Sequence, residues 1–313
     1  MSTPLPLASR RALFVSWIAY HARSEALASA LGAECVFVSV GTLRNRRTTA
    51  FRHAWQGLVT LLLLLRRRPE VLLVMAPPFP LVLLALVWRR LSGCLVIADC
   101  HSGAVVGRPM SARLAERADV VIVTLPQLTE GFPRAVAVHD PLAAISPGTP
   151  HDTVLFPASW ERDEPVEALL DAARLLPDVS FAITGRAPDD LVPPPNVRLA
   201  GFLSRADYLA LLAGAPLVLA LTTEEDTMQQ AGYEAAAAGR PVVASDTSAL
   251  RSYFRDAAVY AAPTGPALAR AVEDGLRRAP ALEVAMRDVR REEQAAFDAA
   301  VAEIGDLVGE LER

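Results

Sequence analysis

Twelve short apolar runs, arranged in two series of six, leave this chain few folds to choose from. The first series is Ala12–Trp17, Cys35–Val40, Val71–Met75, Cys94–Asp99, Val120–Thr124 and Ala135–His139. Each is a nearly continuous string of Val, Ile, Leu, Phe and Ala. That is how a strand reads when both faces of a parallel sheet are covered, because neither face has to suit water. Helical patterns lie between the runs, around residues 22–31, 48–66, 80–91 and 111–117. Strands alternating with helices in this way wind into a Rossmann-like α/β unit. Residues 140–152, DPLAAISPGTPHD, are rich in turn formers and read as a linker. The alternation then restarts with TVLFPA, VSFAIT, NVRLAG, PLVLALTT, PVVASD and AAVYAA, and with helical patterns near 164–176, 204–213, 227–238, 247–254 and 264–279. A polar helical tail follows from about Ala281. The expected architecture is two Rossmann-like domains, 1–145 and 153–280, facing a central cleft, with a C-terminal helix over 281–313. The 313 residues suffice for two such cores.

Charge narrows the function classes. The chain carries 31 basic and 35 acidic residues, a net charge of -4, where a general nucleic-acid binder is expected to be basic. There is no lysine, so chemistry that needs a Schiff base or a phosphate-binding ammonium must use Arg or be absent. Cys35, Cys94 and Cys100 form neither an even disulfide framework nor a C-x-x-C motif and read as reduced. The N-terminus lacks the pattern of a signal peptide, and the expected location is cytoplasmic. Val71–Trp88 is apolar enough to resemble a membrane span, but Pro77, Pro78 and Pro80 divide it into a strand, a loop and a short helix.

No G-x-G-x-x-G follows the first run, and no Walker motif, G-x-S-x-G elbow or H-E-x-x-H pair occurs. The informative segment is 216–254. An apolar run ends at Thr222–Thr223, an acidic loop follows, and a helix is expected from near Thr227, with Glu234 about two turns inside it. At eight positions apart, Asp226 and Glu234 would project from similar directions on one helix, about 12 Å apart along its axis. Two such carboxylates can grip an extended, hydroxyl-bearing ligand. The same spacing also fits a helix-capping Asp226 and a solvated Glu234.

The text from Asp226 to Asp246, DTMQQAGYEAAAAGRPVVASD, resembles the donor-site signature of retaining GT-B glycosyltransferases of the family 4 type. The half from Glu234 to Asp246 is a close match. In the other half, Asp226 stands in place of a Glu, and Thr227, Met228 and Gln229 replace Gly-Phe-Gly. The resemblance implies a nucleotide-sugar co-substrate and no other cofactor. Glu234 would hold the ribose, and Asp226 with the backbone of Thr227, Met228 and Gln229 would hold the sugar. It also implies an Arg and a Lys near the start of the second domain as a diphosphate clamp, but here Ser159 and Glu164 occupy those positions. Arg162 and Arg186 are the expected substitutes, since a departing diphosphate needs fixed positive charge or backbone donors. The acidic pair Glu224-x-Asp226 imitates a metal-binding D-x-D, but the surrounding text fits the metal-free pattern, so no metal is expected.

In the first domain, His101 follows the fourth run, in the text D-C-H-S-G-A. It is either a structural histidine or, as the resemblance implies, a group near the donor sugar, with Ser102 and Gly103 contributing backbone contacts. Tyr20 and His21 are candidates for lining an acceptor site, and Arg23 for meeting phosphate at a helix N-terminus. The segments Phe51–Arg68 and Leu81–Arg90 join apolar bodies to arginine clusters. They read either as ordinary sheet-packing helices or as an interfacial patch reaching a lipid-linked hydroxyl acceptor. The expectation is a glycosyltransferase. The alternatives are a non-catalytic partner on a degenerate GT-B fold, for which the missing Arg/Lys pair argues, and a sugar-nucleotide epimerase, which should carry more acid/base groups than His101.

Overall fold

Six of the apolar runs form one parallel sheet and six form another. The computed structural model describes residues 5–40, 48–101, 105, 109–140, 142 and 145–313. In chain order the first sheet is built from β1 (Ala12–Ser16), β2 (Glu34–Phe37), β3 (Val71–Ala76), β4 (Leu95–Cys100), β5 (Val120–Val123) and β6 (Ala135–Ala137). Its spatial order is β2-β1-β3-β4-β5-β6, every pairing parallel. The connecting helices are α1 (Ala22–Leu31), α2 (Thr49–Arg67), α3 (Phe79–Ser92) and α4 (Pro109–Ala115). Alternation along each strand divides the core in two. Leu13, Val15, Leu72 and Val74 point to the side of α2 and α3, while Ala12, Phe14, Leu73 and Met75 point to the side of α1.

The second sheet contains β7 (Val154–Phe156), β8 (Phe181–Thr184), β9 (Val197–Gly201), β10 (Val218–Ala220), β11 (Val242–Ser245) and β12 (Ala258–Ala261), in the order β12-β11-β10-β7-β8-β9, again all parallel. Its helices are α5 (Val166–Leu175), α6 (Arg205–Gly214), α7 (Gln230–Ala238) and α8 (Ser248–Phe254). The strand order reverses between β1 and β3 in the first sheet and between β7 and β10 in the second. In open parallel sheets such reversals leave a crevice beyond the C-terminal strand ends, where ligands bind.

The final helix, α9, runs from Gly265 to Leu311 with Pro280 inside it, so the expected break between a helix ending at 279 and a tail from 281 is not there. The chain divides into two units, Leu142–Gln294 and Met1–Pro141 together with Ala295–Arg313. The tail is therefore not a domain of its own. Its end supplies Phe297, Val301, Ile304 and Val308 to the core beside α1, whereas Met286 and Val289 belong to the core beside α7 and α8. Cys94 and Cys100 are buried, Cys35 is half-buried and all three are free, with burial pushing the Cys100 thiol up to about 12.

Candidate functional site

At the reversal in the second unit lies a pocket of about 510 Å³, walled by the loop after β7, the end of β8 and the starts of α6 and α7. Glu234 sits in the second turn of α7, on a helix otherwise composed almost wholly of small buried residues, and is 2% exposed. Its carboxylate is not left bare. Arg205 Nη1 donates to one oxygen at 2.5 Å, Tyr208 Oη donates to the other at 2.5 Å, and Gln230 Nε2 lies 3.4 Å from the first. Burial, and after it the Glu234 charge, push the Tyr208 phenol far above its ordinary value, so it remains a proton donor. Both partners come from α6, whose start is fixed by Ser204 accepting the Asp207 amide. The Arg205 side chain is 55% exposed, so part of its guanidinium is open to a ligand. Phe202, 90% exposed, stands on the rim.

The loop after β7 is held in an anion-binding shape, and a carboxylate of the chain fills it. Trp160 adopts φ 63°, in the left-handed region. Successive amides across such a turn converge, forming a concavity suited to an anion. Glu164 occupies it, accepting from Ser159 N at 3.0 Å to each oxygen, from Ser159 Oγ at 2.8 Å and from Trp160 N at 2.6 Å. The Trp160 indole closes the loop by donating to the Thr184 carbonyl at 2.9 Å. Only glycine fits next to it. Gly185 has φ +83°, and a Cβ there would come within 2.2 Å of the Ala158 carbonyl oxygen and 2.8 Å of the Trp160 ring.

Several expected site residues lie elsewhere. Arg162 and Arg186 are exposed and neither lines the pocket, whose arginine is Arg205. Helix α7 begins at Gln230 rather than near Thr227, so Asp226 lies in a turn outside it, and the one-helix spacing drawn between Asp226 and Glu234 does not apply. Asp226 is half-buried and does not line the pocket with Glu234. Of the three residues replacing Gly-Phe-Gly, Gln229 lines the pocket, its Oε1 buried without a partner among the described residues. Met228 packs against Gly232, and Thr227 is half-buried. Sequence reading missed Arg205, Tyr208 and Phe202. The only signal available was their place directly after the run NVRLAG, at the C-terminal end of a parallel strand.

In the first unit, a pocket of about 340 Å³ lies at the reversal between β1 and β3. Trp17, Ile18 and His21 line it from beyond β1, Met75 from the end of β3, Pro77 and Pro78 from the loop after it, His101 from just past β4, and Arg52, His53 and Gln56 from α2. The His21 and His101 rings meet edge to face at 4.9 Å. Burial first lowers both pKa values, the neighbouring His101 adding to the effect on His21, which favours the neutral form of each ring. His21 also caps α1 by accepting the Ser24 amide. Arg23 is not a phosphate ligand in waiting. It is 2% exposed, pairs with Asp99 at 3.0 Å and Asp140 at 2.8 Å, and donates to the Val138 carbonyl at 2.8 Å. Tyr20 is exposed, donates to Glu25 at 3.0 Å and does not line the pocket. Ser102 and Gly103 lie outside the described residues.

Residues 162–300 match a protein-family model described as glycosyl transferase-like. No curated protein matches the sequence. Among solved structures, sucrose-phosphate synthase from Thermosynechococcus elongatus is similar with a TM-score of 0.73 at 17% identity, covering 96% of this chain and 99% of that one. Anabaena HepE, solved in complex with UDP, gives 0.69 at 14% identity, with coverage of 96% and 99%. A Listeria monocytogenes structure named for UDP-N-acetylglucosamine 2-epimerase gives 0.65 at 13%, covering 93% and 94%. At such identities the likeness is one of fold: the chain has the GT-B fold, and residues 162–300 are similar to a glycosyl transferase-like family.

Proposed function

We propose that this chain is a glycosyltransferase that binds a nucleoside-diphosphate sugar in the second unit and passes the sugar to a hydroxyl acceptor, with retention at the anomeric carbon. The observation that carries this reading is the buried carboxylate of Glu234 at the sheet reversal, oriented by Arg205 and Tyr208. A carboxylate oxygen accepts more than one hydrogen bond, so Glu234 can keep these donors and still take ribose hydroxyls. Arg205, anchored at one nitrogen, has further N–H groups to offer the diphosphate and supplies the positive charge that Ser159 and Glu164 do not. Phe202 offers a flat apolar face on which a base can stack. In the transfer the bond from the anomeric carbon to the β-phosphate oxygen breaks, the acceptor oxygen bonds to that carbon, and its proton passes to the departing phosphate. In the first unit's pocket, His21 and His101 can hydrogen-bond hydroxyl groups.

One observation favours a second reading, a non-catalytic partner: Glu164 already fills the amide cradle that a phosphate would use. Calorimetry with a panel of nucleoside diphosphates, among them UDP, the nucleotide bound in the HepE structure, together with an assay for the released nucleotide, separates the two. On the enzyme reading, Glu234→Ala loses a charge-assisted hydrogen bond and weakens UDP binding about ten- to a hundredfold. Glu164→Ala frees the cradle and removes a like charge, strengthening binding about tenfold. If no nucleoside diphosphate binds the wild type or Glu164→Ala, the enzyme reading fails and the partner reading stands.

A further inference from the structure

Helix α2 is inside out for a soluble protein. The side it turns to the sheet presents Gln56, Thr60 and Leu64, whereas Phe51, Trp55, Leu58, Leu62 and Leu65, recurring at the three-to-four spacing of one helix face, are all at least half exposed. This orientation is fixed from within. Gln56 Nε2 donates to the Val38 carbonyl at 2.7 Å, Trp17 Nε1 donates to Thr60 Oγ1 at 2.9 Å, and Thr60 Oγ1 donates to the Gln56 carbonyl at 2.7 Å. The neighbouring α3 repeats the exposure with Phe79, Leu83, Val87 and Leu91 at a spacing of four. Nine large apolar side chains on two adjacent helices exceed the scattered exposure that a soluble surface carries without cause.

Charge identifies what covers this face. Residues 48–92, which hold both helices, contain six arginines and one carboxylate, Glu70, although the whole chain is net acidic at -4. Neither α2 nor α3 contains an acidic residue, and each ends in arginines, Arg66 and Arg67 in one and Arg89 and Arg90 in the other. Among the described residues only Arg67 and Arg89 of these four make ion pairs, with Glu34 and Asp119. An apolar face bordered by unneutralised arginine suits the boundary between acyl chains and anionic headgroups. A second copy would bring the same positive charge against itself. No helix among the described residues is long and apolar enough to cross a membrane, so contact would be with the surface. We infer that the exposed faces of α2 and α3 dock on an anionic lipid surface. Arg52, His53 and Gln56 of the same α2 line the first unit's pocket, which places that pocket beside the docked face.

The inference does not depend on sugar transfer, and the test needs no donor. The full chain is sedimented with phosphatidylglycerol–phosphatidylcholine vesicles and with phosphatidylcholine vesicles, at low and high salt. Binding to the anionic vesicles, reversed by salt and accompanied by a blue shift of Trp55 emission, is the expected result. Leu58→Asp/Leu62→Asp should abolish it. Arg66→Ser/Arg67→Ser/Arg68→Ser should weaken it on the order of a hundredfold. Since the leucines are exposed, melting of the leucine variant should match the wild type, and Trp55→Ser serves as a milder variant if it does not. Equal binding to both vesicle types, or none to either, overturns the inference. So does a dimer in vesicle-free buffer that Leu58→Asp/Leu62→Asp dissolves, which assigns the face to a second copy.

Discussion

Arg23 and Asp99 place opposite full charges in the core of the first unit, with the Asp99 side chain fully buried. Burial acts to raise the Asp99 pKa, but the charge and hydrogen bond of the Arg23 guanidinium, together with the neighbouring His101 and His21, outweigh it and hold the carboxyl below its ordinary value. Removing one partner strands the other, so Arg23→Ala should cost about 3–5 kcal/mol in chemical denaturation. A phosphate ligand would behave otherwise, losing affinity at unchanged stability, and that outcome would restore the sequence-based role for Arg23. The residues at this scale divide by how their partners are encoded. Glu234 was visible because its neighbours in the chain, Ala235 to Asp246, carry the signature. Arg205 and Tyr208 were not, because 29 and 26 positions separate them from the carboxylate they serve.

At the scale of the element, strands were easier to find than helix ends. A doubly buried strand must be apolar throughout, which announced the inner strands, whereas the edge strands β2 and β9 are mostly half-buried and were found by the alternation around them. The start of α7 was misplaced because Thr227 to Gln229 suit a helix or a loop equally, and Gln229 adopts an extended conformation without a side-chain cap. Which face of α2 is buried was also hidden, since its sequence gives leucine to nearly every direction. The orientation makes a prediction. Leu58→Gln, at an exposed position, should change stability by less than about 0.5 kcal/mol. Gln56→Leu, apparently the conservative choice for a helix facing a sheet, should cost about 1–3 kcal/mol by leaving the Val38 carbonyl unpartnered. Paired thermal melts check it, and the reverse order would mean that α2 packs the other way round.

For the whole molecule, the unexpected feature is that the first unit is completed by the end of the chain. Phe297, Val301, Ile304 and Val308 are buried in the core beside α1, each at about 1.5–3 kcal/mol for an apolar side chain of this size. Deleting residues 295–313 therefore removes a free energy comparable to the stability of an ordinary domain. Hydrogen exchange on the truncated chain should show β1 and β3 unprotected while β10 and β11 keep their protection. Uniform protection in both units would show that the helix end is dispensable.

What the sequence determined by itself was everything governed by short-range pattern. The apolar strings had to become parallel strands, and the run from Glu234 to Asp246 carried its resemblance in consecutive letters. Only the tertiary structure decided which cations and donors meet which carboxylates. Arg205 rather than Arg162 or Arg186 reaches the pocket, Glu164 closes on the Ser159 and Trp160 amides, and Arg23 turns inward to Asp99. The physical reason is that strand and helix periodicities are set within a few residues, whereas an ion pair is set by which strand ends the sheet order brings side by side, and that order is a property of the whole chain.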